Sequence, residues 1–396
     1  MLRKKMIAVM LLMIVLVTNV TVFAAEAMAS GTGMAETARS YVLMEASSGK
    51  ILLEKNMDEE IPPASITKVM TLLLIHEAID AGKINWDDKV TVSSHAASMG
   101  GSQIFMEEGE EQTVRDLVKA IAIASANDAA VAMAEYIGGS ESQFVDMMNK
   151  RASELGMEHT TFKNACGLHI DGHLSSAHDV ALMSRALITK FPDISKTLTT
   201  WMDTITHRTR KGETEFGLTN TNKMIKWYNG ITGLKTGYTP QAKHCVSATA
   251  TRDNMNLIAV VMGSQDGKIR FREAAQLLDY GFANYMVKKG PEVGEILGNM
   301  KIKKGDKELV ELTIEESMAF VVPKSKDEQQ LTYEIKYDEG VKAPVYKNQK
   351  LGTITYYMNG EPVGEANLVA AYDVGKAKFK NMIPYMFSRY FDLGKE

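Results

Sequence analysis

The sequence predicts an α/β (α+β) fold in which an antiparallel sheet carries helices on both faces, followed by a small all-β domain and a C-terminal amphipathic helix. Strand patterns at 41–54 and 231–263 enclose a helical middle at 67–190, and this order favours one sheet built from both ends of the segment. Past 293 the pattern changes to short alternating runs between Gly, Pro and charged residues, which is typical of small β domains. A helical period returns at 379–391.

The composition excludes several classes of protein. With 396 residues, the chain has room for two or three domains, and 45% hydrophobic with 24% charged residues indicates a folded protein, neither disordered nor multiply membrane-spanning. A net charge of −4 gives no basic footprint, so we expect no nucleic-acid partner. Only two cysteines exclude a disulfide scaffold. Cys166 and Cys245 could pair in an exported protein or remain thiols.

The first residues, 1–29, are predicted to be a secretory signal peptide. Three basic residues precede an apolar run at 6–17, and small residues follow at 24–29. The alternative is a retained N-terminal anchor, but the strongly apolar run is shorter than the ~20 residues that a spanning helix needs. We therefore expect an exported protein that works outside the cytoplasm.

Residues 30–292 are predicted to form the first folded domain. A hairpin is expected around the turn at 46–49, and a sheet is expected to be completed by strands at 231–236, 245–251 and 256–263. The helical periods between and after these strands lie at 67–82, 113–123, 128–138, 141–155, 176–190 and 270–286.

Residues 293–372 are predicted to be a small β-sandwich and residues 373–396 an amphipathic helix. Aromatic and Met residues recur at steps of three and four from Phe379 to Phe391, with lysines and an arginine beside them and Pro384 as a kink. This pattern is typical of a helix in the headgroup region of an anionic membrane, although a terminal helix packed on its own domain shows the same period. We expect 376–396 to attach the protein peripherally to the outer face of the cytoplasmic membrane.

Ser65 and Lys68 form the first motif with a chemical meaning. They open a predicted helix, and residues three apart share a helix face, so the hydroxyl and the ammonium meet across one turn. A lysine with a lowered pKa can take the proton of a serine nucleophile. The spacing alone is unspecific, because Ser47 and Lys50 match it equally well within the predicted hairpin turn.

The second motif, Ser125-Ala126-Asn127, lies between two predicted helices, where it could project a hydroxyl and an amide into a cleft or simply cap the next helix. The third, Lys235-Thr236-Gly237, ends a predicted strand. There a cation and a hydroxyl could bind a carboxylate, with Gly237 leaving room for substrate along the backbone, or the motif could be a charged sheet edge before a turn.

The ordered set S-x-x-K, S-x-N and K-T-G resembles penicillin-recognising serine enzymes. From about Ala38 to its C-terminus the chain resembles the low-molecular-mass penicillin-binding proteins that are D-alanyl-D-alanine carboxypeptidases, serine peptidase family S11. Further matching stretches lie at 164–168, 172–179 and 269–274. The resemblance implies removal of the terminal D-alanine from peptidoglycan stem pentapeptides, and inhibition by β-lactams.

The resemblance also assigns roles to residues. Ser65 would form the acyl-enzyme, Lys68 would be its base, Ser125 would relay the proton to the leaving nitrogen with Lys235 holding it, and Asn127 would bind the substrate backbone.

The same resemblance places the substrate carboxylate on Thr236 and Arg270, beside Gly237, and the oxyanion on the backbone N–H groups of Ser65 and Tyr238. No cofactor or metal is implied.

Two other functions share these motifs. A class A β-lactamase normally has Asp where this chain has Ala126, and a Glu in a stretch that here reads 160–164 without one. A non-catalytic penicillin sensor would need a transducing membrane region, and the chain has no internal spanning segment.

A metallopeptidase is disfavoured because the sequence between His169 and His173 reads as a turn; we interpret these and His178 as loop or surface histidines.

Overall fold

The computed structural model describes residues 33–209, 212–324 and 330–377. The predicted signal peptide lies outside these ranges, as does 378–396 of the predicted tail. Within them, no helix combines the length and apolarity required to cross a bilayer. The described residues form two compact units: the first comprises 33–44, Ile51–Thr251 and Leu257–Asp279, and the second comprises Glu45–Lys50, Arg252–Asn256 and the described residues from Tyr280 onward.

The first unit contains most of the helices and one principal sheet. Its strands are β1 (Ser40–Glu45), β2 (Ile51–Lys55), β3 (Lys89–Thr91), β4 (Glu111–Thr113), β5 (Met202–Thr209), β6 (Gly212–Thr219), β7 (Ile231–Thr239), β8 (Lys243–Arg252) and β9 (Met255–Ser264). Its helices are α1 (Lys68–Asp80), α2 (Ser94–Ala97), α3 (Val114–Lys119), α4 (Asn127–Gly138), α5 (Glu141–Glu154), α6 (Ala177–Lys190), α7 (Ile194–Leu198) and α8 (Ile269–Asn284).

The principal sheet joins the two ends of this unit. Its five strands follow the order β2-β1-β9-β8-β7, and β1 pairs antiparallel with β2 as β7 does with β8. Successive residues of a strand point to opposite faces, and the run from Leu257 to Met262 is buried throughout, so both faces are covered. The predicted fold class is confirmed, apart from the C-terminal helix, which is not shown.

The hairpin of β5 and β6 is a feature that the sequence analysis missed. The two strands pair in register from Met202 with Thr219 to Thr209 with Gly212. Few of their side chains are buried, chiefly Ile205, His207 and Leu218. The alternation of apolar and polar residues that identifies a half-buried strand is therefore too weak to be read here.

The second unit is all-β. Its strands are β10 (Tyr285–Lys289), β11 (Gly298–Lys301), β12 (Leu309–Ile314), β13 (Ala319–Pro323), β14 (Leu331–Tyr337), β15 (Lys350–Met358) and β16 (Glu361–Ala370). Five of them form a sheet in the order β11-β12-β16-β15-β14, and β10 pairs with β13. The core of the sheet includes Val310, Leu312 and Leu368, all fully buried.

Both predicted limits of this β domain differ from the structure. Strand β10 pairs with β13, so strand structure of the β domain begins before residue 293. At the other end, residues 373–377 do not begin a helix: Val374 is buried and bridges Val345, and Lys376 bridges Gly305. Their backbone groups are satisfied by the β domain, which leaves 378–396 as the part of the predicted helix outside the described residues.

Candidate active site

Ser65 and Lys68 lie where a tight turn leads into a buried helix. Residues Ala64–Thr67 form a 3₁₀ turn, and α1 begins at Lys68. Every residue from Lys68 to His76 is buried, so α1 runs through the core and holds this turn firmly. Ser65 itself is half-buried. The predicted meeting of hydroxyl and ammonium is found, with Lys68 Nζ 3.2 Å from Ser65 Oγ.

The Lys68 ammonium is held by two carbonyl oxygens besides the serine. Its Nζ donates to Asn127 Oδ1 at 2.6 Å and to the Cys166 carbonyl oxygen at 2.7 Å. Neither oxygen can donate a hydrogen bond in return. When Lys68 is neutral, its two remaining protons satisfy these oxygens and its lone pair faces Ser65 Oγ.

Burial makes the neutral form of Lys68 accessible near neutral pH. The side chain is fully buried, and loss of solvation lowers its pKa to about 8, against the opposing influence of Cys166 and Asp128. An exposed lysine would be almost wholly protonated at the same pH. The site therefore holds a base beside a hydroxyl.

Ser125 and Asn127 are presented by an irregular helix connection. Helix α3 continues into a π-helical turn, Ala120–Ala124, and Ser125 follows in the left-handed region at φ 62°. Helix α4 begins at Asn127 with Ala126 as its N-cap and no side-chain capping bond. The capping alternative is therefore wrong: the Ser125 side chain accepts a hydrogen bond from Lys235, and the Asn127 side chain accepts one from Lys68.

The Asn127 amide has a fixed orientation. Its Oδ1 accepts from Lys68, while its Nδ2 donates to the Gly100 carbonyl oxygen at 2.6 Å and its backbone N–H donates to that of Ser102 at 2.7 Å. The neighbouring Asp128 carboxylate accepts from the backbone of Ile104 and other residues of the same loop, and burial raises its pKa. The loop that begins at 100 is thus fastened to the S-x-N segment.

Lys235 lies on β7 and holds the other serine. It is 1% exposed, and its Nζ donates to Ser125 Oγ at 2.7 Å. Burial lowers the pKa of Lys235 well below its usual value, and the nearby charge of Lys68 lowers it further. The next residue, Thr236, donates its hydroxyl proton to Thr221 Oγ1 at 2.7 Å.

Gly237 has a packing role that the sequence did not predict. A Cβ at this position would lie 2.8 Å from the Pro63 carbonyl oxygen and 3.1 Å from Ala64 Cβ. The missing side chain therefore allows β7 to approach the turn that bears Ser65, while the room for substrate along the backbone stays a prediction. In this way, Gly237 sets the distance between the first and third motifs.

Arg270 and Tyr238 lie at the same end of β7. Arg270 Nη1 donates to the carbonyl oxygens of Gly237 at 2.9 Å and Cys245 at 3.2 Å, so it braces the two paired strands from α8. The Tyr238 ring is 55% exposed and stacks on His244, with ring centroids 4.5 Å apart. Carboxylate binding by Arg270 and oxyanion binding by the Tyr238 N–H stay predictions.

The segment at 164–168, which the sequence identified only as a stretch similar to the family, is part of the site. Gly167 has φ +84°, and a Cβ there would lie only 1.9 Å from the Ala64 carbonyl oxygen. This close approach brings the carbonyl group of Cys166 to Lys68. Backbone acceptors carry no sequence signal, but a glycine in a motif-rich stretch was a sign of close packing.

One of the three histidines interpreted as loop or surface residues is buried, and both cysteines are thiols. His169 is exposed and His178 half-buried, whereas His173 is 3% exposed and lies in a loop between two helices, so it is a loop histidine but a buried one. Cys166 and Cys245 are buried and free. Burial raises the pKa of Cys245 to about 11, so its thiol stays protonated at neutral pH.

Comparisons with known families agree with this arrangement. Residues 25–266 match the family described as D-alanyl-D-alanine carboxypeptidase, and residues 285–376 match the C-terminal domain of penicillin-binding protein 5.

Individual relatives match over nearly the whole chain. The chain is 44% identical to D-alanyl-D-alanine carboxypeptidase DacF of Bacillus subtilis over 95% of this chain and 96% of that protein. It is 32% identical to DacA of Escherichia coli over 89% of each. Among solved structures, penicillin-binding protein 5 of Haemophilus influenzae superposes with a TM-score of 0.71 at 34% identity, covering 86% of this chain and 98% of that one.

Proposed function

The chain belongs to the D-alanyl-D-alanine carboxypeptidase family, and we propose that Ser65 is the nucleophile of its reaction. The enzyme is a serine-type carboxypeptidase that removes the terminal D-alanine from peptidoglycan stem peptides. One observation supports the choice of Ser65 above all: the only direction left for the lone pair of neutral Lys68 is toward Ser65 Oγ, since Asn127 Oδ1 and the Cys166 carbonyl oxygen occupy its protons.

In the first step, Ser65 Oγ attacks the carbonyl carbon between the two D-alanines. Its proton passes to Lys68 Nζ as the new C–O bond forms, and negative charge develops on the carbonyl oxygen. We assign the Ser65 and Tyr238 N–H groups to this oxygen.

Breakdown of that intermediate requires a proton on the leaving nitrogen. Ser125 is suited to supply it, because Lys235 donates to Ser125 Oγ at 2.7 Å and leaves the hydroxyl proton of Ser125 for the cleft. The C–N bond breaks, free D-alanine leaves, and an ester remains on Ser65. The proton that Lys68 took from Ser65 replaces the one that Ser125 gave up, so both groups return to their starting protonation states. Water then attacks the ester and returns the proton to the serine, releasing the shortened peptide.

Substrate recognition is assigned to the third motif and to Asn127. Arg270 places a positive charge at this end of β7, which suits a terminal carboxylate, and the Thr236 hydroxyl, beside Lys235, would turn its proton from Thr221 Oγ1 to that carboxylate. A C-terminal carboxylate is the feature that distinguishes a carboxypeptidase substrate from an internal peptide bond. Asn127 would hold the peptide backbone of the substrate beside it.

The proposal is tested by labelling and by product analysis. A fluorescent penicillin should attach covalently to the protein and not to Ser65→Ala, whereas Ser47→Ala, the matched change in the other S-x-x-K sequence, should label normally. A stem pentapeptide should lose one D-alanine. Labelling that persists in Ser65→Ala would reject the nucleophile, and rapid penicillin hydrolysis without D-alanine release would favour the β-lactamase alternative.

We further propose that the protein is exported and attached to an anionic membrane surface by its C-terminal tail. The N-terminal signal pattern and the basic, aromatic tail sequence support this. The last described residue lies beside an exposed lysine of the β domain, because the Ala377 N–H donates to the Lys304 carbonyl oxygen at 2.9 Å. Positive charge near the start of the tail favours the same surface.

Attachment is tested with vesicles containing anionic lipid. The mature chain should sediment with them, and the same chain ended after Ala377 should stay largely in solution. A matched peptide assay should show equal D-alanine release from both forms, since the truncation leaves the catalytic unit intact. Equal sedimentation of both forms would reject the tail as the anchor.

A further inference from the structure

His173 occupies a buried position between the two segments that surround Lys68. Its Nε2 lies 2.8 Å from Thr67 Oγ1, within the turn that carries Ser65 and Lys68. Its Nδ1 lies 3.1 Å from the backbone nitrogen of Lys163, next to the segment whose Cys166 carbonyl oxygen holds Lys68. One imidazole ring thus contacts both segments that surround Lys68: the turn that carries Ser65 and the segment that begins at Lys163.

The two contacts determine the tautomer of the ring. The Lys163 nitrogen carries a proton and must donate, so Nδ1 is the acceptor and carries none. Nε2 is then protonated and donates to Thr67 Oγ1. Burial, together with the charges of His169 and Lys163, lowers the pKa of His173 to about 4, so the ring stays neutral at the pH values at which Lys68 loses its proton.

The surroundings leave the ring little freedom. His173 is 3% exposed, and its ring meets Phe162 edge-on at a centroid distance of 5.8 Å. The segments that it joins are already in close contact, because a Cβ on Gly167 would lie 2.9 Å from Thr67 Oγ1. A small separation of these segments would admit water to the Lys68 ammonium.

We propose that His173 is a positioning residue that clamps the 163–167 segment onto the Ser65–Lys68 turn and thereby keeps Lys68 dry enough to act as a base. This inference rests on the proposed roles of Ser65 and Lys68. Loss of the clamp lets the pKa of Lys68 rise toward that of an exposed lysine, since desolvation is the largest cause of its lowering. The other groups acting on Lys68 are Cys166 and Asp128, and Lys235 is a neighbouring charge; none of them is changed in the variants below.

The experiment measures the second-order rate of acylation by a labelled penicillin between pH 6 and 10. In the wild type the rate should rise with pH through about 8, following the neutral fraction of Lys68. In His173→Phe the rise should shift upward by about one pH unit, which corresponds to a roughly tenfold lower rate at pH 7 and a much smaller difference at pH 10.

Two further substitutions of His173 separate its hydrogen bond to Thr67 from its hydrogen bond with the Lys163 N–H. The amide of His173→Gln can still donate toward Thr67, and the amide of His173→Asn can still accept from the Lys163 N–H. Each should shift the pH profile less than His173→Phe. Thr67→Val removes the hydroxyl partner and should shift the profile in the same direction, and Thr67→Ser should restore it. The Thr67 pair also provides the test if His173→Phe does not fold.

Phe162→Leu is the control for a merely structural role. It alters the packing beside the same ring without removing either hydrogen bond, so it should lower thermal stability and leave the pH profile in place. Profiles of His173→Phe and Thr67→Val that coincide with the wild type would overturn the clamp while Ser65-dependent labelling persists. Labelling that does not depend on Ser65 would instead overturn the proposed function.

Discussion

The chain contains the spacing S-x-x-K in two adjacent places, and only one of them is built for chemistry. Lys68 is fully buried and shares its protons with Ser65, Asn127 Oδ1 and the Cys166 carbonyl oxygen. Lys50 and Ser47, by contrast, are exposed. Ser47 Oγ donates to the Glu45 carboxylate at 2.9 Å, so that serine serves the hairpin turn and does not face a lysine.

The difference shows what turns a pattern into a site. A helical turn aligns residues three apart, whereas the hairpin turn leaves Ser47, Ser48 and Lys50 exposed. Burial then lowers the pKa of Lys68 to about 8, which an exposed lysine cannot reach. Helix geometry and desolvation together allow Lys68 to act as a base, and the S-x-x-K spacing alone specifies neither of them.

Replacing each lysine by alanine should separate the two sequences most clearly. Lys68→Ala removes the base that takes the Ser65 proton, and we expect kcat/KM for D-alanine release to fall by about 10³-fold, within the range for general base catalysis. Lys50→Ala should leave it within about twofold of the wild type. Comparable losses in the two variants would remove the distinction between a buried base and a surface lysine.

A methyl group at Gly167 should disturb the active turn strongly. Gly167→Ala would place Cβ 1.9 Å from the Ala64 carbonyl oxygen at φ +84°, so the backbone must move. We expect a loss of about 3 kcal/mol or more in the free energy of unfolding, together with slow acylation.

Gly172 is the matched control for Gly167. It has φ +77°, but an added Cβ would meet only the flexible Lys163 side chain, whose Cε would lie 3.5 Å away. Gly172→Ala should therefore cost only about 1 kcal/mol, the cost of the left-handed conformation alone. Urea unfolding of both variants measures the difference; equal losses would mean that strain, and not the close approach, governs Gly167.

The pH dependence of acylation should report the burial of Lys68. The neutral amine is the active form, so the rate should increase about tenfold per pH unit below the pKa of about 8 and level off above it. A stopped-flow series with labelled penicillin measures this. A rate that stays flat from pH 6 to 9 would exclude Lys68 as the titrating base.

The smallest effect is expected at the inactive sequence. Glu45 is fully buried and its carboxylate accepts from the backbone and hydroxyl groups of Ser47 and Ser48. Glu45→Gln should weaken these bonds and cost about 1 to 2 kcal/mol in thermal unfolding. D-alanine release should be unaffected, and a parallel loss of activity would show that the turn contributes to the site after all.

Much of the fold was predictable because its elements have clear periods. The helices at 67–82 and 141–155 carry an apolar face or an apolar run, and β9 contains a continuous apolar segment from Leu257 to Met262 between turn residues. Strand β5 and its partner β6 were missed because few of their side chains are buried. The residues 373–377 were assigned to the tail because a helical period does not mark where a chain leaves its domain.

The candidate site was predictable where identity and spacing coincide. Ser65, Lys68, Ser125, Asn127 and Lys235 were all named from motifs, and the structure brings them into two linked networks. The sequence could not predict the contributions that backbone atoms and burial make to the site. Every residue type has a backbone carbonyl oxygen, so the sequence gives no sign that the one of Cys166 binds Lys68. The burial of His173 depends on segments that are far apart in the sequence and meet only in the fold.

The π-helical turn before Ser125 makes the cleft depend on residue count as well as residue identity. The Ala120 carbonyl oxygen accepts from the Ala126 N–H at 3.1 Å, spanning more chain than an α-helical turn does. Each residue of an α-helix advances the chain by about 100°, so one alanine fewer in this run would rotate Ser125 by that angle away from Lys235. A chain shortened in this way would keep every letter of the three motifs and lose the proton path, which a search for the motifs alone would not detect.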